Sequence, residues 1–236
     1  LVDRSSASAS EIFAAAIQDY GRGIVVGQQT YGKGTVQNLY PLDRWALGPN
    51  ANFGQLTVTI GKYYRVTGDS VQNRGVVPEI TLPSLISTTE VGESTRDTAL
   101  PWDRIRPVEF DSERALSGTV GVLTKRHEER MASDADLRAL VGDTEAFEKL
   151  RAEKTVSLNL AKRKAERERL DSERLARINA RRGADGQPAL KSLEDLDPEQ
   201  EPDANLREAS QIVADLIALP APEAAQLSQT QAKKAE

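Results

Sequence analysis

An α/β layer followed by a mostly helical domain is the fold class this sequence predicts, and three observations predict it. Helix-forming and strand-forming stretches interleave over the first ninety or so residues, the signature of mixed α/β layers. Charge then divides the chain. Residues 1 to 109 hold ten basic and eleven acidic side chains and most of the glycine, whereas from about Lys125 to Arg182 nearly every second residue is charged, with mixed signs at helical spacing. Finally, Thr144 to Arg182 contains neither proline nor glycine, the two residues that most readily end a helix.

Taken in order, Leu1-Val2-Asp3 reads as the end of a buried strand, so the chain is expected to be part of something longer. Glu11 to Asp19 is predicted helical: Ile12, Phe13, Ala16 and Ile17 fall on one face, Ser8 or Ser10 can cap it, and Glu11 suits the positive end of its dipole. Gly21 closes that helix, and Ile24-Val25-Val26 is a short buried strand between glycines. Thr35 to Pro41 reads as strand. Gln55 to Ile60 alternates, with Leu56, Val58 and Ile60 on one face, and Tyr63 to Val66 continues it until Thr67-Gly68-Asp69 turns the chain. Ser84 to Asp97, rich in Ser, Thr, Gly and Glu, is the expected joint. In the second part a sparse stripe of Leu150, Leu158, Leu170, Leu175 and Ile178 marks a largely solvated helix, and Asn205 to Leu219 a shorter amphipathic one. The expected division is 1–92, 93–219 and a disordered tail over 220–236, where Ala, Pro, Gln and Lys dominate.

Composition excludes several function classes. With 39% hydrophobic and 28% charged residues and a net charge of −5, the 236-residue chain fits a soluble protein and gives no reason to expect nucleic acid or an anionic membrane as partner. No apolar stretch is long enough to cross a bilayer. Cysteine is absent, which removes disulfides, zinc thiolates and thiol catalysis. Nothing in the chain implies a cofactor or a metal.

Two stretches carry chemistry. Ser5-Ser6-Ala7-Ser8-Ala9-Ser10-Glu11 runs into a helix, so a serine there lies among free backbone N–H groups at the positive end of a dipole, as an acyl-transfer nucleophile and its oxyanion hole require. Taken alone it reads best as ordinary N-capping. Gly27 to Gln37 resembles a phosphate-binding loop at Gly27, Gly32 and Lys33, but Gly34 replaces the magnesium-ligating Ser or Thr, and a strand follows instead of a helix. The nucleotide reading is therefore rejected. A serine nucleophile needs a base. The single histidine, His127, lies in the charged helical stretch and reads as a solvent-facing residue. Lys33, flanked by glycines that allow close backbone approach, is the one lysine in residues 1 to 61. It can serve as base if burial keeps its amine neutral.

Together, Asp3 to Ile12, Gln18-Asp19 and Tyr31-Gly32-Lys33-Gly34-Thr35-Val36-Gln37 resemble the carboxyl-terminal processing peptidases, the S41 serine peptidases, and among them the bacterial tail-specific branch. Gly75-Val76-Val77-Pro78 matches the family's Gly-Val-x-Pro segment, with Glu79 where aspartate is commoner. Leu100 to Asp103, Thr155 to Asn159 and Gln200 to Asp203 resemble the helical extension of that branch.

The resemblance implies a partial crotonase/ClpP-like core. Catalysis would rest on a Ser-Lys dyad of Ser8 and Lys33, 25 residues apart, with Gln37 supporting the lysine and Asp19 as an associated aspartate. The Ala9 N–H would be half of the oxyanion hole. It further implies no cofactor, protein substrates with apolar carboxyl termini, a periplasmic location, a lipoprotein adaptor and peripheral association with the inner membrane. The tail-capturing PDZ domain and the second oxyanion donor would lie upstream, so these residues alone are expected to be inactive. The alternative from another class is an inert fragment acting as a helical interaction module. Asp19 lies about three helical turns beyond Ser8, roughly 16 Å along the axis, so it is expected to fix the helix or a loop more than to touch the nucleophile.

Overall fold

The structure, a computed structural model, describes residues 1–45, 52–112, 116, 118–197, 201 and 203–219, and the expected disordered tail over 220–236 lies outside them. The chain divides into two compact units: residues 2–81 with 86–117, and residue 1 with 82–85 and 118–236.

The first unit is built on helix α1 (Ala9–Asp19) and strands β1 (Val26–Gly27), β2 (Thr35–Pro41), β3 (Gln55–Lys62) and β4 (Ile80–Thr81). β1 pairs in parallel with β4, and β2 pairs antiparallel with β3 from Thr35↔Lys62 to Pro41↔Gln55, with an irregularity between Val36 and Gln37. Small residues let α1 approach closely: Ala14 and Ala15 are buried with Val25, Val71 and Val76, and Val2 and Tyr63 pack against this cluster. Val2 contributes a single parallel bridge to Gly27 in place of a strand.

Two expectations about the strands need amending. Leu56 and Ile60 are about half exposed, so the alternating face of β3 is not a core face of this unit. The strand also ends at Lys62, where the expectation carried it to Val66; the Tyr63 N–H adds one last bond in the same register, to Gly34 O at 3.1 Å.

The described residues between 86 and 112 carry little regular structure and are held to this unit by side chains. Arg4, 1% exposed, donates from Nε to Val91 O at 2.5 Å, from Nη2 to Thr88 O at 3.1 Å and from Nη1 to Thr30 O. Trp102 donates its indole N–H to Ser70 O at 2.9 Å and lies under the Arg74 guanidinium, 3.6 Å from the ring centroid. By their contacts, residues 86–117 go with the first unit.

The second unit packs α2 (Val120–Ser133), α3 (Ala135–Ala152), α4 (Leu160–Ala184) and α5 (Ala204–Ala218) around buried Leu123, Leu137, Ile178 and Ile212. Capping sets the starts: Asp134 accepts from the Asp136 and Leu137 N–H groups, Asn159 from Lys162 and Asp203 from Leu206. The stretch free of proline and glycine nevertheless breaks at 153–159, where Asn159 caps a new helix. His127 is not solvent-facing. It is 5% exposed and its Nδ1 lies 2.8 Å from Glu208 Oε1, while Arg130 bonds the same carboxylate. Asp215 accepts from both Arg126 and Arg130. Burial alone would raise the Asp215 carboxyl, but hydrogen bonds and charge from these guanidiniums outweigh it and hold the group below its ordinary value. No described helix is long and apolar enough to cross a membrane.

Candidate active site

The serine-rich turn sorts its own hydroxyls. Asp3 Oδ1 accepts from the N–H groups of Ser5 and Ser6 and from the Ser6 hydroxyl, and Ser10 donates to Ala7 O at 2.8 Å. Ser8 is different in backbone. As N-cap of α1 it has φ 55° and ψ −112°, a left-handed conformation that a residue with a Cβ adopts at a cost of about 1–3 kcal/mol. A sharp, strained turn delivering a serine to a helix start is a recurrent way to present a nucleophile. Ala9 is the first residue of α1, and the first N–H groups of a helix have no intrahelical acceptor.

What holds the turn is Glu11. Its side chain is fully buried and its carboxylate collects four donors. Oε2 accepts from the N–H groups of Ser8 and Lys33, each at 2.8 Å, and Oε1 accepts from Thr30 Oγ1 at 2.5 Å and from the Gly32 N–H at 2.7 Å. One carboxylate thus ties the Ser8 turn to the Lys33 loop. The N–H of Ser8 donating to the side chain three residues on is half of a capping box, a pattern visible in the sequence. The other three donors come from 19 to 22 residues away, and no spacing rule reports them.

The Lys33 loop follows β1 and leads into β2. Gly32 has φ 94°, and a Cβ there would stand 2.9 Å from the Asn73 carbonyl carbon; at Gly34 it would stand 2.7 Å from the Gln72 nitrogen. Both glycines are required by close approach of the 72–73 backbone; the Asn73 N–H donates to Gly32 O, and the Gly34 N–H donates to the Gln72 side-chain oxygen Oε1. Lys33 Nζ donates to Gln37 Oε1 at 2.9 Å, and Gln37 Nε2 reaches Thr59 Oγ1 on β3 at 3.3 Å, which orients the amide oxygen toward the lysine. Tyr63 Oη lies 3.2 Å from Ser8 O and 3.1 Å from Lys33 O.

The structure therefore gathers the Ser8 and Lys33 backbones on the same two side chains, with Gln37 on the lysine. Asp19 is engaged elsewhere: its carboxylate takes Arg65 Nη2 at 2.5 Å and Nε at 2.9 Å, a nearly buried bidentate pair that fastens the end of α1. Its position at the last residue of α1 leaves both carboxylate oxygens on Arg65. Glu79 accepts the Val25 N–H at 2.8 Å, a use that an acidic side chain after the Gly-Val-x-Pro segment can serve. Among the described residues no group of three or more His, Asp or Glu side chains is disposed to hold a metal ion.

Comparison with known proteins adds lineage to this geometry. The family described as peptidase family S41 matches residues 1–82, and the family described as the C-terminal domain of tail specific protease matches residues 86–218. The tail-specific protease of Haemophilus influenzae is 41% identical over 227 residues, 92% of this chain and 32% of that protein. The carboxy-terminal-processing protease of Bartonella bacilliformis is 44% identical over 80 residues, 34% of this chain and 17% of that protein. A carboxyl-terminal-processing protease of a Picosynechococcus species is 37% identical over 83 residues, 35% and 18% of the two chains. The chain thus spans about a third of the length of its Haemophilus relative.

Proposed function

The chain belongs to peptidase family S41 and carries the C-terminal domain of tail-specific protease, and from that premise we propose that it supplies the nucleophile and the base of a serine endopeptidase built on a crotonase/ClpP-like core. In this reading Ser8 Oγ attacks the scissile carbonyl and its proton passes to Lys33 Nζ. The tetrahedral oxyanion is met by the Ala9 N–H. Lys33 then returns the proton to the leaving amine, and the acyl group on Ser8 is released by water activated through the same lysine. Gln37 positions Lys33, and Asp19 serves the scaffold through Arg65.

The observation that carries the reading is the joint suspension of Ser8 and Lys33 from the buried Glu11 carboxylate. A capping serine has no physical need to be coupled to a lysine loop 25 residues away; a nucleophile and its base do. The substrates proposed are proteins with apolar carboxyl termini, in the periplasm, with a lipoprotein adaptor and the inner-membrane surface as partners. These rest on the family resemblance of the sequence alone.

The test is active-site titration of the full-length protein with a fluorophosphonate probe, beside turnover of an unstructured protein with an apolar tail. Ser8→Ala and Lys33→Ala should each abolish both signals while leaving the melt unchanged, and Lys33→Arg should fail equally because a guanidinium stays protonated. Near wild-type turnover in Lys33→Ala with none in Ser8→Ala would show that another base serves Ser8.

A further inference from the structure

The two residues of the proposed dyad come from different elements, the turn into α1 and the loop between β1 and β2, so something must fix the gap between them. Glu11 binds their N–H groups. Their carbonyls converge on one atom, the hydroxyl oxygen of Tyr63, at 3.2 Å from Ser8 O and 3.1 Å from Lys33 O. A phenol has a single proton. Two acceptors at nearly equal and slightly long distances describe a three-centre hydrogen bond, and such a bond weakens if either acceptor moves away.

The rest of residue 63 is placed to make that bond rigid. Its N–H donates to Gly34 O, so the residue grips the Lys33 loop from both ends, and its ring packs against the cluster around Ala14, Ala15 and Val76. On another side Tyr63 borders a cavity of about 190 Å³ lined by Ile12, Ala16, Tyr20 and Val66 among others. Packing holds the ring on the cluster side, and the hydroxyl is fixed by its two carbonyl contacts. Burial, with the Glu11 charge second, raises the phenol above its ordinary value, so the group keeps its proton and remains a donor.

We infer that Tyr63 is a positioning residue for the dyad: its hydroxyl, held between the carbonyls of Ser8 and Lys33, sets the distance between nucleophile and base. The inference rests on the reading of Ser8 and Lys33 given above. Tyr63 touches no reacting atom and acts only through these two backbones. Glu11 cannot substitute for it, because a carboxylate accepts hydrogen bonds and cannot donate one to a carbonyl.

The experiment replaces Tyr63 in the full-length protein. Tyr63→Phe should lower kcat by about ten- to a hundredfold with KM within about twofold, since misplacing a reacting group by about 1 Å costs up to roughly a hundredfold in rate. Acylation by the fluorophosphonate should slow in parallel. Tyr63→4-aminophenylalanine, which keeps the ring and a weaker donor, should give an intermediate kcat. Wild-type kcat in a folded Tyr63→Phe protein, or a kcat no higher in the aminophenylalanine protein than in Tyr63→Phe, overturns the inference. If Tyr63→Phe does not fold, the aminophenylalanine protein decides. A lowered kcat at unchanged KM supports the clamp, and a wild-type kcat with only a lowered melt makes the residue merely structural. Ser8→Ala separates the two claims. Residual acylation there removes the dyad and the clamp together, whereas a dead Ser8→Ala beside an unimpaired Tyr63→Phe removes the clamp alone.

Discussion

Replacing Glu11 by glutamine changes one atom and leaves the shape of the side chain intact, so its consequences follow from hydrogen-bond arithmetic. If the amide nitrogen takes the Oε2 position it faces the N–H groups of Ser8 and Lys33, and both bonds are lost. If it takes the Oε1 position it faces the Gly32 N–H, and that bond is lost, while the Thr30 hydroxyl can turn to accept. Thr30 Oγ1 already accepts the Val76 N–H at 2.7 Å and has one further lone pair to offer. The second arrangement is the better one. It strands the Gly32 N–H and takes the acceptor from the Thr30 hydroxyl proton, at about 1–3 kcal/mol for each buried donor left unpaired, and weakens the Ser8 and Lys33 bonds from charge-assisted to neutral, at about 1 kcal/mol each. It also strips the buried Arg4 guanidinium of the charge that partly offsets its own burial. Against this, a buried charge no longer has to be desolvated, which brings the net loss down to about 3 kcal/mol.

A loss of that size is large beside a total stability of about 5–15 kcal/mol, yet it leaves a folded majority at 25 °C. Urea unfolding of full-length Glu11→Gln should therefore show a midpoint shift equivalent to about 3 kcal/mol at unchanged slope. Fluorophosphonate labelling per folded molecule should fall by about a hundredfold, because both the Ser8 turn and the Lys33 loop lose their common anchor. Glu79→Gln is the internal control: Glu79 accepts one N–H among the described residues, that of Val25, and its replacement should cost about 1 kcal/mol with labelling intact. The reasoning is refuted if Glu11→Gln loses less than about 1 kcal/mol and labels at the wild-type rate.

Asp19→Asn should behave in the opposite way. Breaking its bidentate pair with Arg65 should cost about 2 kcal/mol of stability, and labelling per folded molecule should stay within about threefold of wild type; loss as complete as in Ser8→Ala would return Asp19 to the chemistry. Acid should loosen the helical unit through Asp215. Its carboxyl is held below its ordinary value in the folded state, so its contribution is full above about pH 4 and is lost as pH falls through the depressed folded value. Thermal melts followed at 222 nm should show the unit losing stability below about pH 4, and Asp215→Asn should reduce that dependence; identical acid profiles would refute the assignment.

The sequence made the local parts of this site legible and hid the parts that are not local. Helix α1 and the glycines around Lys33 each leave a mark within a few residues: a capping serine, and a position where a side chain would strike backbone. Gln37, whose amide lies 2.9 Å from the Lys33 amine, is indicated by the family resemblance and not by spacing, since four residues leading into a strand ordinarily separate side chains. Glu11 was visible only as a helix-start acid, because three of its four donors arrive from the Thr30–Lys33 loop. His127 misled for the same reason. Its helix is charged at nearly every turn, and what buries it is a carboxylate 81 residues away on α5. The apolar alternation of β3 misled in the other direction: a periodicity of two reports that a strand has an apolar face without reporting whether this unit covers it. The chemistry proposed here depends mainly on the hidden class of contact. Ser8 in a strained turn and Lys33 in a loop are individually ordinary; what makes them a candidate dyad is that a buried carboxylate and a phenol, contributed by α1 and by the residue after β3, hold the N–H groups and the carbonyls of both at once.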